Sequence, residues 1–143
     1  MRKFIFAVII VFPLFGFSQK LTCADFKNGN FVMTSDQFPG AQIAIYRNGN
    51  IQTEKMLTAG TLEVEEDDYA QETIEWIGDC KYKLTLDEVR GNQTDFAKHI
   101  NRNGGIITTI LKIEGDCYIY ESVVTINGKK EKVSGQVCKN IDY

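Results

Sequence analysis

From Cys80 the chain reads CKYKLTL, which places Cys80, Tyr82, Leu84 and Leu86 on one side of an extended backbone and Lys81, Lys83, Thr85 and Asp87 on the other. A period of two marks a half-buried β-strand. The runs GIITTILKI, from Gly105, and ESVVTI, from Glu121, alternate less cleanly but are rich in the β-branched residues that pack well on a pleated surface. Two Asn-Gly pairs, Asn48-Gly49 and Asn127-Gly128, lie between such runs. Both residue types tolerate positive φ, which makes the pair the strongest short hairpin signal. Pro13 and Pro39 are the only prolines, and no long stretch keeps an apolar stripe of helical period. LEVEEDDYAQETIEW, residues 62–76, is the one place with room for a short helical turn.

The pattern predicts about eight strands: Phe26–Thr34, Ala41–Arg47, Ile51–Leu57, Thr73–Ile77, Cys80–Val89, Ile106–Ile113, Tyr118–Ile126 and Lys130–Cys138. Their short connections imply an all-β, antiparallel up-and-down meander. Such a sheet buries one face by curling over or closing. A small calycin- or lipocalin-like barrel is therefore the leading architecture, with a strongly curved open sheet or a two-layer sandwich as alternatives. Residues 90–105, RGNQTDFAKHINRNGG, read as a polar insertion between strands. The NQT at Asn92 matches a glycosylation pattern too common by chance to be given a role.

The N-terminus departs from this pattern. Arg2 and Lys3 precede an apolar run from Phe4 to Phe17, with Gly16 and Ser18 at the small-residue spacing of a signal-peptidase site. The run of about fourteen residues is shorter than the roughly twenty that span a bilayer. Lys20 and Thr22 ahead of Cys23 do not make a lipobox. The expectation is a signal peptide at residues 1–18, cleaved after Ser18, and a single β domain at 19–143. That domain would be periplasmic or secreted, with no transmembrane segment. Cleavage removes two cations and no acids, so the formal net charge of −3 becomes more negative. An acidic domain argues against a nucleic-acid or anionic-membrane surface.

Export governs how the cysteines are read. Cys23, Cys80, Cys117 and Cys138 make an even set in a small exported domain, which points to two disulfides. Zinc is the alternative, but there is no C-x-x-C knuckle and His99 is the only histidine. With Asn127-Gly128 at the centre of a two-residue turn, Ile126 faces Lys129 and the register carries Cys117 opposite Cys138. That is a non-hydrogen-bonded position, where α-carbons approach to about 4.5 Å and a disulfide fits. Cys23 then pairs with Cys80. The rival connectivity, Cys23 with Cys138 and Cys80 with Cys117, is natural if the first and last strands meet. The turn-fixed register favours the former. Both Cys80 and Cys117 follow Gly-Asp, in WIGDCKYKL and IEGDCYIY, so the repeat reads as a turn that delivers a crosslinking cysteine to the start of a strand.

The same turn reasoning at Asn48-Gly49 sets Arg47 opposite Asn50, Ile45 opposite Gln52 and Ile43 opposite Glu54. Arg47, Gln52 and Glu54 thus share a face with Ile43 and Ile45. Polar strand residues usually face water, which favours an exposed hairpin whose cross-strand pairs contribute about a few tenths of a kcal/mol each. If the face lines a barrel interior instead, the guanidinium would grip the carboxylate or phosphate of an apolar ligand. Trp76, on one strand face with Ile74, would line the same cavity. Arg47, Gln52, Glu54 and Trp76 are the candidate ligand-binding residues.

Other constellations are weaker. EVEEDDY, residues 63–69, is acidic but lacks the glycine-centred ligand loop of a calcium site and reads as a solvated loop. His99 has no Ser or free Cys partner in view, so no catalytic, metal or cofactor site is predicted.

CADFKNGNF from Cys23, IYRNGNIQTE from Ile45 and IEWIGDCKYKL from Ile74 resemble a group of small exported Bacteroidota proteins. That group is related through C-x-x-F-K-x-G-x-F, then R with Q-x-E after it, then I-x-W-x-x-x-C-x-Y-x-L. The blocks occur in order over roughly the first half of the mature chain, and the second half matches loosely. The resemblance implies a small β-rich exported domain and no particular activity. Some of the group carry the label "DNA topoisomerase IV", which a short acidic chain without a nucleotide-binding motif or DNA-binding signature does not support.

Two functions fit these expectations. One is an exported non-catalytic binding module that holds a small anionic lipophilic molecule. The other is a cell-envelope protein-interaction or scaffold domain without such a ligand. A cavity at Arg47, Gln52 and Trp76 distinguishes the first, and a packed core with an exposed apolar patch the second.

Overall fold

A computed structural model describes residues 20–57, 69–89 and 94–140. The signal-like segment, the acidic run up to Asp68, and Asn92 lie outside the described residues. Eight strands form a closed antiparallel barrel: β1 (Gly29–Ser35), β2 (Gln42–Asn48), β3 (Ile51–Leu57), β4 (Tyr69–Gly78), β5 (Lys81–Leu86), β6 (Ile106–Glu114), β7 (Cys117–Ile126) and β8 (Lys129–Lys139). Each strand pairs with its sequence neighbours, and β8 returns to pair with β1. Closure gives every strand a neighbour on both sides. The all-β meander is therefore a barrel rather than an open sheet or a sandwich. A 3-10 turn (Cys23–Phe26) precedes β1, and helix α1 (Thr94–Arg102) lies between β5 and β6. No helix among the described residues is long and apolar enough to cross a membrane.

One end of the barrel gathers the β2–β3, β4–β5 and β6–β7 turns with the chain entry, and it is closed. Phe26 is fully buried there, edge-on to Tyr118 with ring centroids 4.9 Å apart and tilted against Phe31 at 5.8 Å. Asp25 holds this turn in shape: its carboxylate accepts from the backbone N–H and the hydroxyl of Thr22, both at 2.8 Å. Both disulfides brace the same end. Cys23–Cys80 ties the 3-10 turn to the β4–β5 turn, and Cys117–Cys138 joins the start of β7 to the end of β8. With every cysteine bonded, no thiolate is left for zinc.

The two Asn-Gly hairpins behave differently. Asn127 and Gly128 both take positive φ, 52° and 75°, and Ile126 faces Lys129, so Cys117 meets Cys138 in the expected register. In the first hairpin the central residues are Gly49 and Asn50, with Gly49 at φ 62° and its N–H bonded to Asn28 Oδ1 at 2.8 Å. Glycine at the first central position suits a II′ turn. Arg47 therefore faces Gln52, and Ile45 faces Glu54, two residues from the expected pairing. A slip of two preserves the side of the sheet, so the shared face survives.

Four further expectations need correction. Phe26 ends the 3-10 turn instead of starting β1. The stretch from Tyr69 is strand, not a helical turn, because Glu72, Ile74 and Trp76 alternate inward. β5 begins after Cys80, which sits in the turn itself, and stops at Leu86. The polar insertion contains α1, which buries Ala97 and Ile100, one turn apart, against the barrel. Asn101 on this helix stands in for a missing strand neighbour: its Oδ1 accepts from Leu86 N at 3.0 Å and its Nδ2 donates to Leu86 O at 2.9 Å. That occurs where β5–β6 pairing has already ended, at Leu84 and Ile106.

Uneven alternation in two strands reflects bulges. Register shifts between Trp76 and Gly78 and between Ile110 and Lys112 make Ile77 and Leu111 the extra residues. Each bulge turns a large aliphatic side chain outward; Ile77 is 47% exposed and Leu111 60%.

Candidate functional site

The register places Arg47, Gln52 and Glu54 on the inward face beside Ile45, and the expectation of an exposed hairpin fails: Arg47 is 3% exposed and Gln52 1%. Arg47 Nε donates to Gln52 Oε1 at 2.7 Å. Its Nη1 donates to the Phe26 carbonyl at 2.9 Å, and Nη2 reaches the hydroxyls of Tyr82 at 2.9 Å and Tyr118 at 3.0 Å. The guanidinium also lies 4.7 Å from the Tyr82 ring centroid and 5.3 Å from that of Phe31, so aromatic faces cover it as well. Burial pulls the Arg47 pKa down, but Tyr82 and Tyr118 more than offset this and the side chain stays charged.

Gln52 passes the contact on. With its carbonyl oxygen occupied by Arg47, its Nε2 donates to Glu54 Oε1 at 2.7 Å and to Glu72 Oε2 at 2.9 Å. Burial, and then the neighbouring Glu54 carboxylate, hold Glu72 well above the usual carboxylate range. Burial raises Glu54 as well, against the bond from Gln52 and the charge of Arg47. Tyr118 and Tyr82 share a hydroxyl contact of 3.1 Å, and burial followed by Tyr82 pushes the Tyr118 phenol well up. The outcome is a continuous polar chain through an aromatic core, in which protein groups occupy Nε and both Nη atoms of Arg47.

Trp76, the fourth predicted residue, stands apart from that chain. It packs on Tyr82 with ring centroids 4.9 Å apart, and Lys27 Nζ lies 5.1 Å from its ring centroid. Tyr82, which bonds Arg47 Nη2, lies between Trp76 and the guanidinium. An open cleft of about 360 Å³ is lined by Ile51, Gln71, Glu72, Thr73, Leu86, Asp87 and Glu88, and Arg47, Gln52, Glu54 and Trp76 are not in its wall. Among the described residues no group of His, Cys, Asp and Glu is placed to hold a metal ion. His99, on α1, accepts a long 3.4 Å bond from Asn127 N and has no nucleophile bonded to it.

Sequence reasoning missed Glu72, Tyr82, Tyr118 and the Phe26 carbonyl as members of the cluster. For Glu72 the signal was present, because it keeps step with Ile74 and Trp76 in ETIEW. The tyrosines come from β5 and β7, and only barrel closure brings them to Arg47. No protein-family model matches the chain, and no curated protein matches it.

Proposed function

We propose that the chain is an exported, non-catalytic β-barrel module that binds a partner protein through its outer surface in the cell envelope or outside the cell. The state of Arg47 is the observation that favours this reading over a carrier of anionic lipophiles. An anion entering the barrel would have to displace the Phe26 carbonyl and two tyrosine hydroxyls from the guanidinium. Each buried group left unpaired costs about 1–3 kcal/mol. The export half of the proposal rests on the signal-like N-terminus and on two disulfides, which persist in oxidising compartments. Kinship with the exported Bacteroidota group belongs to the same proposal and rests on the three motif blocks.

The binding face is assigned to the bulged corner of the barrel. Ile77 and Leu111 flank the β4–β5 turn, where Ile110 N bonds Cys80 O at 2.8 Å and the Cys23–Cys80 disulfide braces the backbone. Large aliphatic groups held outward on a rigid corner suit contact with another protein. Chemical crosslinking in the native envelope tests this. The unmodified protein should give a discrete crosslinked species that Ile77→Lys with Leu111→Lys removes while the melting temperature changes little. Saturable binding of a fluorescent fatty acid, lost on Arg47→Leu, would replace this reading with the ligand carrier.

A further inference from the structure

The interior network holds an uneven set of charges. Arg47 is its one guanidinium, and two carboxyls, Glu54 and Glu72, answer it through Gln52. Gln52 has no freedom in this arrangement. Accepting from Arg47 fixes which end of the amide is oxygen, and both hydrogens on Nε2 are then spent, one on each carboxyl. The charged and titratable groups around the pair are Arg47 from β2, Tyr120 from β7 beside Glu54, and Asp87 and Glu88, which share the cleft wall with Glu72. None of the described ion pairs includes Glu54 or Glu72. Two ionised carboxylates on one nitrogen would therefore leave an uncompensated negative charge beside the aromatic core, which is costlier than a pair that shares a proton.

We propose that Glu54 and Glu72 form a proton-binding site, in which the two side chains hold one proton between them at neutral pH and so leave the barrel interior electrically neutral. Glu72, 5% exposed and the more buried of the two, is the better seat for the proton, and its Oε2 accepts from Gln52. The upward shifts of both carboxyls, caused first by burial, agree with this arrangement. Folding then takes up a proton that the unfolded chain does not bind. The sign follows from linkage: stability from this site is complete below the ordinary glutamate value of 4.5 and is lost as pH rises through the raised value in the folded state. The barrel becomes a module that is firmest in mildly acidic surroundings, whichever partner it meets.

The test compares denaturant unfolding of the full protein and its Glu72→Gln variant from about pH 5 to pH 9. Glutamine reproduces a protonated glutamate, with an oxygen to accept from Gln52 and an N–H to donate to Glu54. Relative to Glu72→Gln, the folding equilibrium constant of the unmodified protein should fall by up to about tenfold per pH unit across the window. Parallel curves for the two proteins would overturn the proposal. If Glu72→Gln does not fold, carbon-13 NMR titration of the glutamate carboxyls in the unmodified protein decides. One carboxyl still protonated above about pH 6 supports the site, and titration of all of them near the ordinary value overturns it.

Discussion

Arg47 and Gln52 lie directly opposite each other across the β2–β3 hairpin, and the 2.7 Å bond from Arg47 Nε to Gln52 Oε1 is the centre of the polar network inside the barrel. From it the remaining nitrogens of Arg47 reach the 3-10 turn, β5 and β7, and Gln52 reaches β4. Segments far apart in the chain thus meet on one guanidinium. A satisfied buried network of this kind adds little net stability over an apolar core, but breaking one member leaves several groups stranded. The relationship accounts for a barrel with a charged centre whose guanidinium is held by protein groups, while the open cleft meets the network only at Glu72.

The disulfides should be separable by their contributions. Non-reducing peptide mapping is expected to join Cys23 to Cys80 and Cys117 to Cys138. Cys23–Cys80 closes a separation of 57 residues against 21 for the other, so chain entropy makes its removal the costlier by about 0.9 kcal/mol. Paired Cys→Ser variants compared by denaturant unfolding check the order. A larger loss from the Cys117–Cys138 pair would mean that native contacts at the hairpin, and not loop closure, dominate.

Closure of the barrel depends on Gly135, where β8 passes close to β1. A Cβ there would collide with the Thr34 carbonyl oxygen and lie 2.9 Å from Tyr120 Oη. Gly135→Ala should cost about 1–3 kcal/mol, as overpacked sites do. Hydrogen exchange should speed up on β1 and β8 before the other strands. Gly78→Ala is the control: its nearest neighbour would be Lys81 Cβ at 3.6 Å, an ordinary contact, and stability should change by about 0.5 kcal/mol or less.

Much of this architecture was legible in local pattern, and the exceptions have physical causes. The Cys117–Cys138 pairing followed from Asn127-Gly128 because both residues take the positive φ that their turn demands. The same dipeptide misled at Asn48-Gly49, where Gly49 sits in the first central position and its N–H donates to Asn28 Oδ1. The shared face of Arg47, Gln52 and Glu54 survived only because strand parity tolerates a slip of two. Which way that face points was not local information: it depends on β8 closing against β1. Helix α1 escaped notice because nine residues with two buried apolar positions are too few to show a stripe.

The buried tyrosines predict an alkaline limit. Burial first, then Tyr82, raises Tyr118 well above its ordinary value, and burial pushes Tyr120 up to about 12. Raised phenols contribute stability that is complete below the ordinary value of 10.0 and lost as pH climbs through the folded one. Of the six tyrosines, a subset should resist ionisation in an absorbance titration until the barrel unfolds beyond about pH 11. Ionisation of Tyr118 and Tyr120 near the ordinary value, with the fold intact, would contradict their burial.

The claim that protein groups, and not a ligand, hold the interior charge rests most heavily on Arg47, and the thermal stability of Arg47→Leu tests it most directly. If the guanidinium serves protein groups alone, the change strands the Phe26 carbonyl, Gln52 and the Glu54–Glu72 pair. A loss of about 3–5 kcal/mol should follow, the range for removing one partner from a buried charged cluster. A variant with unchanged or higher Tm would contradict the account, because Arg47 would then be a charge held idle in a cavity that waits for a ligand.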